Sequence, residues 1–355
     1  MTTTIAKLAV EALIANGIEQ LYCLPGVQND HFFNALFDHT DAITPIQTRH
    51  EQGAAYMATG AALATGEPQA FCVVPGPGFL NTTAALSTAY GMNAPVLALV
   101  GQIPTGAQGK GHGLLHEIPD QFGILERLTK SSHRVTGGGD AVGHVVDAFT
   151  SLVSGRPQPV GLEIAVNLWT QDVTGTLPDL APPGRPAPAV DTDAIDRAAK
   201  LIASASAPMI VVGGGAQGDS GLVRQLAART GAPVVAFRTG HGVMPSDDPL
   251  SIGMPVAHSL WTNVDLVIGI GTRLQSQVMS WGHDDDMKII HIDIDETQIG
   301  RSAPVDVGIH ARLTDALPLL ISAVEDLAEP NPEWADRTAD AKARRAAEYR
   351  EKLGP

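Results

Sequence analysis

Short apolar runs closed by glycine or proline alternate with longer stretches of helical spacing along most of the chain. Residues 5–16 repeat apolar side chains at helical spacing and stop at Gly17. Residues 20–24 read as a strand ended by Pro25-Gly26, 29–37 as a helix and 42–47 as a strand. A helix of small residues follows over 51–65, then a buried strand over 70–74 closed by Pro75-Gly76-Pro77-Gly78. A helix over 81–90 and a buried strand over 96–100 complete the pattern. Continuous apolar strands bounded by turn residues and separated by helices predict a parallel sheet covered on both faces.

The same alternation restarts near Asp191, with helices over 194–203 and 221–230 and strands over 209–212, 234–237, 266–270 and 288–294, stopping near Asp326. Between the two runs, 177–188 is rich in proline, which fixes its own backbone and restrains its neighbour, so a semi-rigid linker is expected. The fold class is therefore α/β, with two doubly wound domains, mostly parallel sheets and flanking helices. The expected division is 1–178, a linker over 179–190, a central Rossmann-like domain over 191–330 and a helical tail over 331–355. The tail is charged and alanine-rich with little apolar face, which predicts a solvated or bridging helix.

Composition narrows the function classes. At 355 residues, 44% hydrophobic and 17% charged, the chain can bury two cores. Its net charge, 23 − 38 = −15, leaves no basic stripe to neutralise phosphates, so nucleic acid is not an expected partner. Cys23 and Cys72 sit inside apolar runs and read as reduced core residues. The start is an amphipathic helix without a basic leader, and no run reaches membrane-spanning length. A cytoplasmic enzyme with no membrane partner is the expectation.

Candidate chemistry centres on Glu51, where a strand gives way to a helix of small residues. On spacing alone the plainer reading prevails, a first-turn acid favoured by the helix dipole. Its neighbours add meaning. Tyr22-Cys23-Leu24-Pro25-Gly26, then His50-Glu51-Gln52-Gly53-Ala54-Ala55, then Pro75-Gly76-Pro77-Gly78-Phe79-Leu80-Asn81, then 94–102, occur in one order and spacing. In the second unit, 208–216, 265–273 and 291–295 continue the series. This set resembles thiamine-diphosphate-dependent enzymes of the acetolactate synthase, pyruvate decarboxylase and benzoylformate decarboxylase kind. The likeness covers the pyrimidine-binding and central domains, roughly residues 1–350.

The resemblance implies roles. Glu51 would exchange a proton with the cofactor's aminopyrimidine, which in turn deprotonates the thiazolium carbon, a general acid–base relay. Alanine, glycine and methionine around Glu51 lead one to expect a desolvated carboxyl. Pro25, Gly26, Val74, Pro77 and Asn81 would bind thiamine diphosphate, and Val27, Gln28 and Phe79 would shape the substrate pocket. His116 stands where acetolactate synthases carry glutamine and is a second catalytic candidate, as proton donor or substrate-orienting group. His31 and His112 read as surface residues. Acetolactate-synthase-like decarboxylation of a 2-oxoacid, with acyl transfer, is the implied activity, in a homodimer or homotetramer.

The family's Gly-Asp-Gly element, whose Asp and a downstream Asn hold Mg²⁺ against the diphosphate, is not found. The chain therefore holds no metal ligands by this reading. It is expected to be a fragment, or one subunit of a split enzyme whose partner polypeptide carries a diphosphate-binding third domain. Gly213-Gly214-Gly215 follows a strand and precedes a helix, which leaves FAD or ADP open as a second ligand with Arg273 as its charged partner. A non-catalytic nucleotide-binding or regulatory relative is the alternative function. The glycine pattern is too incomplete for an NAD-dependent dehydrogenase.

Overall fold

A computed structural model describes residues 3–175, 177–181, 183–327 and 329–354. Met1, Thr2 and Thr176 of the expected first domain, Pro182 of the linker, Ala328 and Pro355 lie outside the described residues. The chain divides into two compact units, Met1–Pro186 and Ala187–Pro355.

The first unit carries β1 (Gln20–Leu24), β2 (Thr44–Gln47), β3 (Gln69–Val73), β4 (Val96–Gln102), β5 (Ser131–Arg134) and β6 (Val160–Ala165) in one sheet of order β2-β1-β3-β4-β6-β5. Every pairing is parallel. Its helices are α1 (Ile5–Ala15), α2 (Asp30–Phe37), α3 (Glu51–Thr65), α4 (Pro77–Met92), α5 (Gln121–Leu128) and α6 (Ala141–Leu152). Strand alternation sorts the core into two layers. Leu21, Cys23, Ala70, Cys72, Leu97 and Leu99 pack under α1, α2 and α6. Tyr22, Phe71, Val73, Ala98 and Val100 pack under α3 and α4. Both faces are buried, which is why these strands read as unbroken apolar runs.

Cys23 and Cys72 oppose each other across β1 and β3, both buried and both free. Burial pushes the Cys23 thiol up to about 11 and raises that of Cys72 well above its ordinary value, so both are inert core residues.

The second unit carries α7 (Thr192–Ser204), β7 (Pro208–Val212), α8 (Ser220–Thr230), β8 (Val234–Ala236), β9 (Ser251–Ile252), α9 (Met254–Leu260), β10 (Leu266–Ile270), β11 (Lys288–Asp293), β12 (Val307–His310), α10 (Leu313–Val324) and α11 (Pro332–Leu353). Its sheet, again all parallel, runs β12-β11-β10-β7-β8-β9.

Two expectations shift. The helix expected to begin at 81 begins at Pro77, because proline at the first helical position gives up only an N–H that has no helical partner. The proline–glycine segment is thus half turn and half helix. The tail is not merely solvated. Trp334 and Ala341 of α11 are buried in a core layer with α9, and the Trp334 indole donates to the Pro208 carbonyl at 2.9 Å. One tryptophan supplies the anchoring area that the charged sequence concealed.

Candidate active site

The chain leaves β1 for β2 on one side and returns to β3 on the other. Where connections diverge in this way, a crevice opens at the carboxyl ends of the two strands. Here those ends lead into Leu24-Pro25-Gly26 and Val73-Val74-Pro75-Gly76. Val74, 5% exposed, is the wall the two turns share. A Cβ on Gly26 would lie 2.7 Å from Val74 Cγ1, and one on Gly78 would lie 2.6 Å from Val74 Cγ2. Gly26 is extended, at φ −173°, so it is glycine for space and not for conformation. Gly76 is glycine for both reasons: its φ is +58°, and a Cβ would meet the His116 backbone, with the carbonyl carbon at 2.9 Å.

Glu51 opens α3. His50 caps the helix, its Nδ1 accepting from the Gln52 amide at 3.1 Å, and the Thr48 hydroxyl donates to the His50 carbonyl at 2.9 Å. From one turn inside α4, Asn81 Nδ2 donates to Glu51 Oε2 at 2.8 Å. The other oxygen, Oε1, lies 3.5 Å from the point a Cβ on Gly78 would occupy, so glycine keeps the space beside it clear. Ala54 and Ala55 are buried behind, but the glutamate itself is half-buried. The full desolvation expected from its small neighbours is not reached by these residues, because small side chains leave the helix start open.

Other candidates separate. Pro25 is exposed, and Val27 is 67% exposed in the short helical turn Val27–Asn29. Gln28 is buried with its Oε1 unpartnered, while its carbonyl accepts from the Trp169 indole at 3.0 Å. Pro77 and Asn81 are exposed. Phe79, expected to shape a substrate pocket, is fully buried among Tyr22, Ala55 and Phe71. It supports the α4 turn from below and faces no open space, since it lies on the sheet side of the helix.

His116 adopts a left-handed backbone, φ 69°, and its Nδ1 is buried without a partner. Glu117 fixes the preceding loop by accepting from the amides of Gly111, His112 and Leu114 at 2.9, 3.3 and 2.9 Å. Those bonds, Leu114's first, hold its carboxyl below the ordinary carboxylate range. His31 and His112 are exposed.

Three polar residues went unnoticed in the sequence. Asn29, fully buried, donates from Nδ2 to the Val73 carbonyl at 2.9 Å and so ties the β1 exit to the β3 exit. Gln121 accepts the Gly76 amide at 2.8 Å, and Glu163, 1% exposed, accepts from Gln121 at 2.8 Å. The signal for Glu163 was a lone acid within an apolar strand, 160–165.

In the second unit, Gly213, Gly215 and Gly271 bring the ends of β7 and β10 into backbone contact. The Gly213 amide donates to Ile270 O at 3.2 Å and the Gly215 amide to Gly271 O at 3.1 Å. Those two N–H groups are spent on joining the strand ends. Among the described residues, no group of three or more His, Cys, Asp or Glu could hold a metal ion, and no helix is long and apolar enough to cross a membrane.

Comparison with known proteins covers both units. Residues 3–124 match the thiamine pyrophosphate enzyme N-terminal TPP binding domain, and 195–320 match the central domain of the same enzymes. The chain is 32% identical to a probable acetolactate synthase large subunit of Methanocaldococcus jannaschii, over 95% of this chain and 59% of that protein. It is 32% identical to the acetolactate synthase isozyme 1 large subunit of Escherichia coli, over 94% and 60%. It is 29% identical to a probable 2-ketoarginine decarboxylase of Pseudomonas aeruginosa, over 96% and 62%. The chain thus spans about 60% of the length of the curated relatives it matches.

Proposed function

Because the chain belongs to the thiamine pyrophosphate enzyme family, through that family's N-terminal and central domains, we propose that it forms part of a thiamine-diphosphate-dependent lyase or carboligase acting on a 2-oxoacid. The reaction is of the acetolactate synthase kind: decarboxylation, transfer of the remaining acyl group, or both. The observation that carries this reading is the Glu51 carboxylate, held by Asn81 at the mouth of the β1/β3 crevice between two glycine turns.

The residues fit the pyrimidine end of the cofactor. Gly26 and Gly78 remove the side chains that would close the crevice, and Val74 supplies an apolar wall between them. Bound thiamine diphosphate supplies an electron sink for the carbon–carbon bond that breaks. Glu51 would exchange a proton with the cofactor's aminopyrimidine through Oε1, while Asn81 occupies Oε2 and fixes the carboxyl plane. His116, on the far side of the Gly76 turn, has a buried ring nitrogen with no protein partner and is assigned to orient substrate or donate a proton. Val27 and Gln28, which follow the Pro25-Gly26 turn, are assigned to the substrate side. The diphosphate and its Mg²⁺ are assigned to residues other than those described, in this polypeptide or a partner, and the working assembly to a cytoplasmic homodimer or homotetramer.

The test is the Glu51→Gln variant of the complete protein, loaded with thiamine diphosphate and Mg²⁺. Hydrogen–deuterium exchange at the thiazolium carbon, read by NMR after acid quench, should slow by about 100-fold or more. Exchange at the native rate would remove Glu51 from its role.

A further inference from the structure

The Pro75–Gly78 turn is held from a direction that the cofactor reading does not use. Gly76 is buried with φ +58° and ψ −120°, a backbone only glycine tolerates, and its amide points into protein. A buried N–H needs a partner. The partner is the side chain of Gln121, whose Oε1 accepts that amide at 2.8 Å. The Nε2 of Gln121 donates to the Gly101 carbonyl at 2.9 Å and to Glu163 Oε2 at 2.8 Å.

This leaves one orientation for the amide. Flipping Gln121 would set NH₂ against the Gly76 N–H and set its oxygen against a carbonyl and a carboxylate. Glu163 is itself fixed, accepting from Gln102 Nε2 at 3.1 Å and from Arg134 Nε at 2.7 Å. The Arg134 guanidinium also lies 4.3 Å above the ring of Phe122, the residue next to Gln121. Glu163 is buried while its Arg134 partner is partly exposed, and a buried carboxylate with every facing donor in place holds the side chain bonded to it in one orientation.

We propose that Gln121 is a positioning residue of the cofactor site, held by Glu163, which fixes the Gly76 amide and thereby the start of α4 against Glu51. The proposal rests on the cofactor reading above. Its chain of contacts is short. Gln121 sets Gly76, and Gly76 sets Gly78 and Asn81. Those two residues in turn set the space beside Glu51 Oε1 and the hydrogen bond to Oε2. No atom of Gln121 is assigned to the chemistry itself.

Three measurements on the complete protein test it. First, the Gly76 amide of the native protein should be protected from solvent exchange, and Gln121→Met, of similar length but unable to accept, should lower that protection at least about 10-fold while β3 amides keep theirs. An unprotected native Gly76 amide overturns the proposal without any variant. Second, at saturating thiamine diphosphate, Gln121→Met should slow exchange at the thiazolium carbon by about 10–100-fold. Native exchange in a folded Gln121→Met protein overturns it. Should Gln121→Met not fold, Glu163→Gln carries the same expectation through loss of the orienting carboxylate. Third, Thr129→Val removes the Thr129–Ser132 hydrogen bond at the far end of α5 and touches none of Gln121, Glu163 and Gly76, so it should exchange at the native rate. Equal slowing there would mean the network is merely structural. The Glu51→Gln protein separates the two readings: native exchange in it ends the cofactor reading, whereas slow exchange in it beside native exchange in Gln121→Met ends only the positioning role.

Discussion

Val74 standing between Gly26 and Gly78 gives a sharp test of how the crevice is built. Gly26→Ala places a methyl 2.7 Å from Val74 Cγ1, about 1 Å inside the ordinary carbon–carbon contact. The backbone at Gly26 is extended, so alanine meets no conformational strain and the contact is the whole perturbation. Val74 is β-branched and 5% exposed, so it cannot swing aside cheaply. Overpacking of this kind costs about 1–3 kcal/mol. Val74→Ala alone removes both methyls and should cost about 2 kcal/mol through lost burial and the gap left behind. Combined, the alanine at 26 enters the space vacated at 74. The double variant should therefore be more stable than the sum of the two losses by about 1–2 kcal/mol. Urea unfolding of the four proteins, followed by near-ultraviolet circular dichroism, measures this coupling. Additivity within about 0.5 kcal/mol would refute the idea that Val74 is the obstruction.

Two further outcomes follow from other parts of the chain. Burial lowers the His133 imidazole below its ordinary 6.5, with Asp147 pulling it up and His144 and Arg185 pushing it down. His291, also buried, is lowered in the same way against the pull of the Thr272 carbonyl and Asp293. For both, the unfolded chain takes a proton first as pH falls, so the stability they contribute is present above about pH 6.5 and lost through the lower folded values. His133→Gln should therefore flatten the fall in unfolding free energy between pH 7.5 and 5.5, and an unchanged slope would count against the burial argument. Trp334→Ala should cost about 3–5 kcal/mol and raise amide exchange along α11, because one indole anchors an otherwise charged helix. Native protection of α11 in that variant would show that the charged face holds the helix.

The local pattern was legible wherever chemistry is local. The boundaries of α3 follow from Glu51 and Gly66, the latter left-handed at φ 76°, and the β1 exit follows from Pro25-Gly26. The order of the four first-unit motifs was enough to name the family and to single out Glu51, whose carboxyl the structure puts against Asn81. Phe79 was misjudged because adjacency to a glycine turn says nothing about which side of a helix faces the sheet. At 213–215 the sequence left two readings open, because a strand end packed against another strand end has the same composition as a phosphate loop.

The sequence by itself determined the periodicities, hence the elements and the two sheets. Only the tertiary structure decided which distant groups meet: Val74 between two glycines, Asn81 on Glu51, and Gln121 and Glu163 behind Gly76. The reason is physical. A helix or strand is written in residues a few positions apart, whereas a buried donor finds its acceptor across 45 residues between Gly76 and Gln121, a pairing fixed only when strands and helices close over a common core.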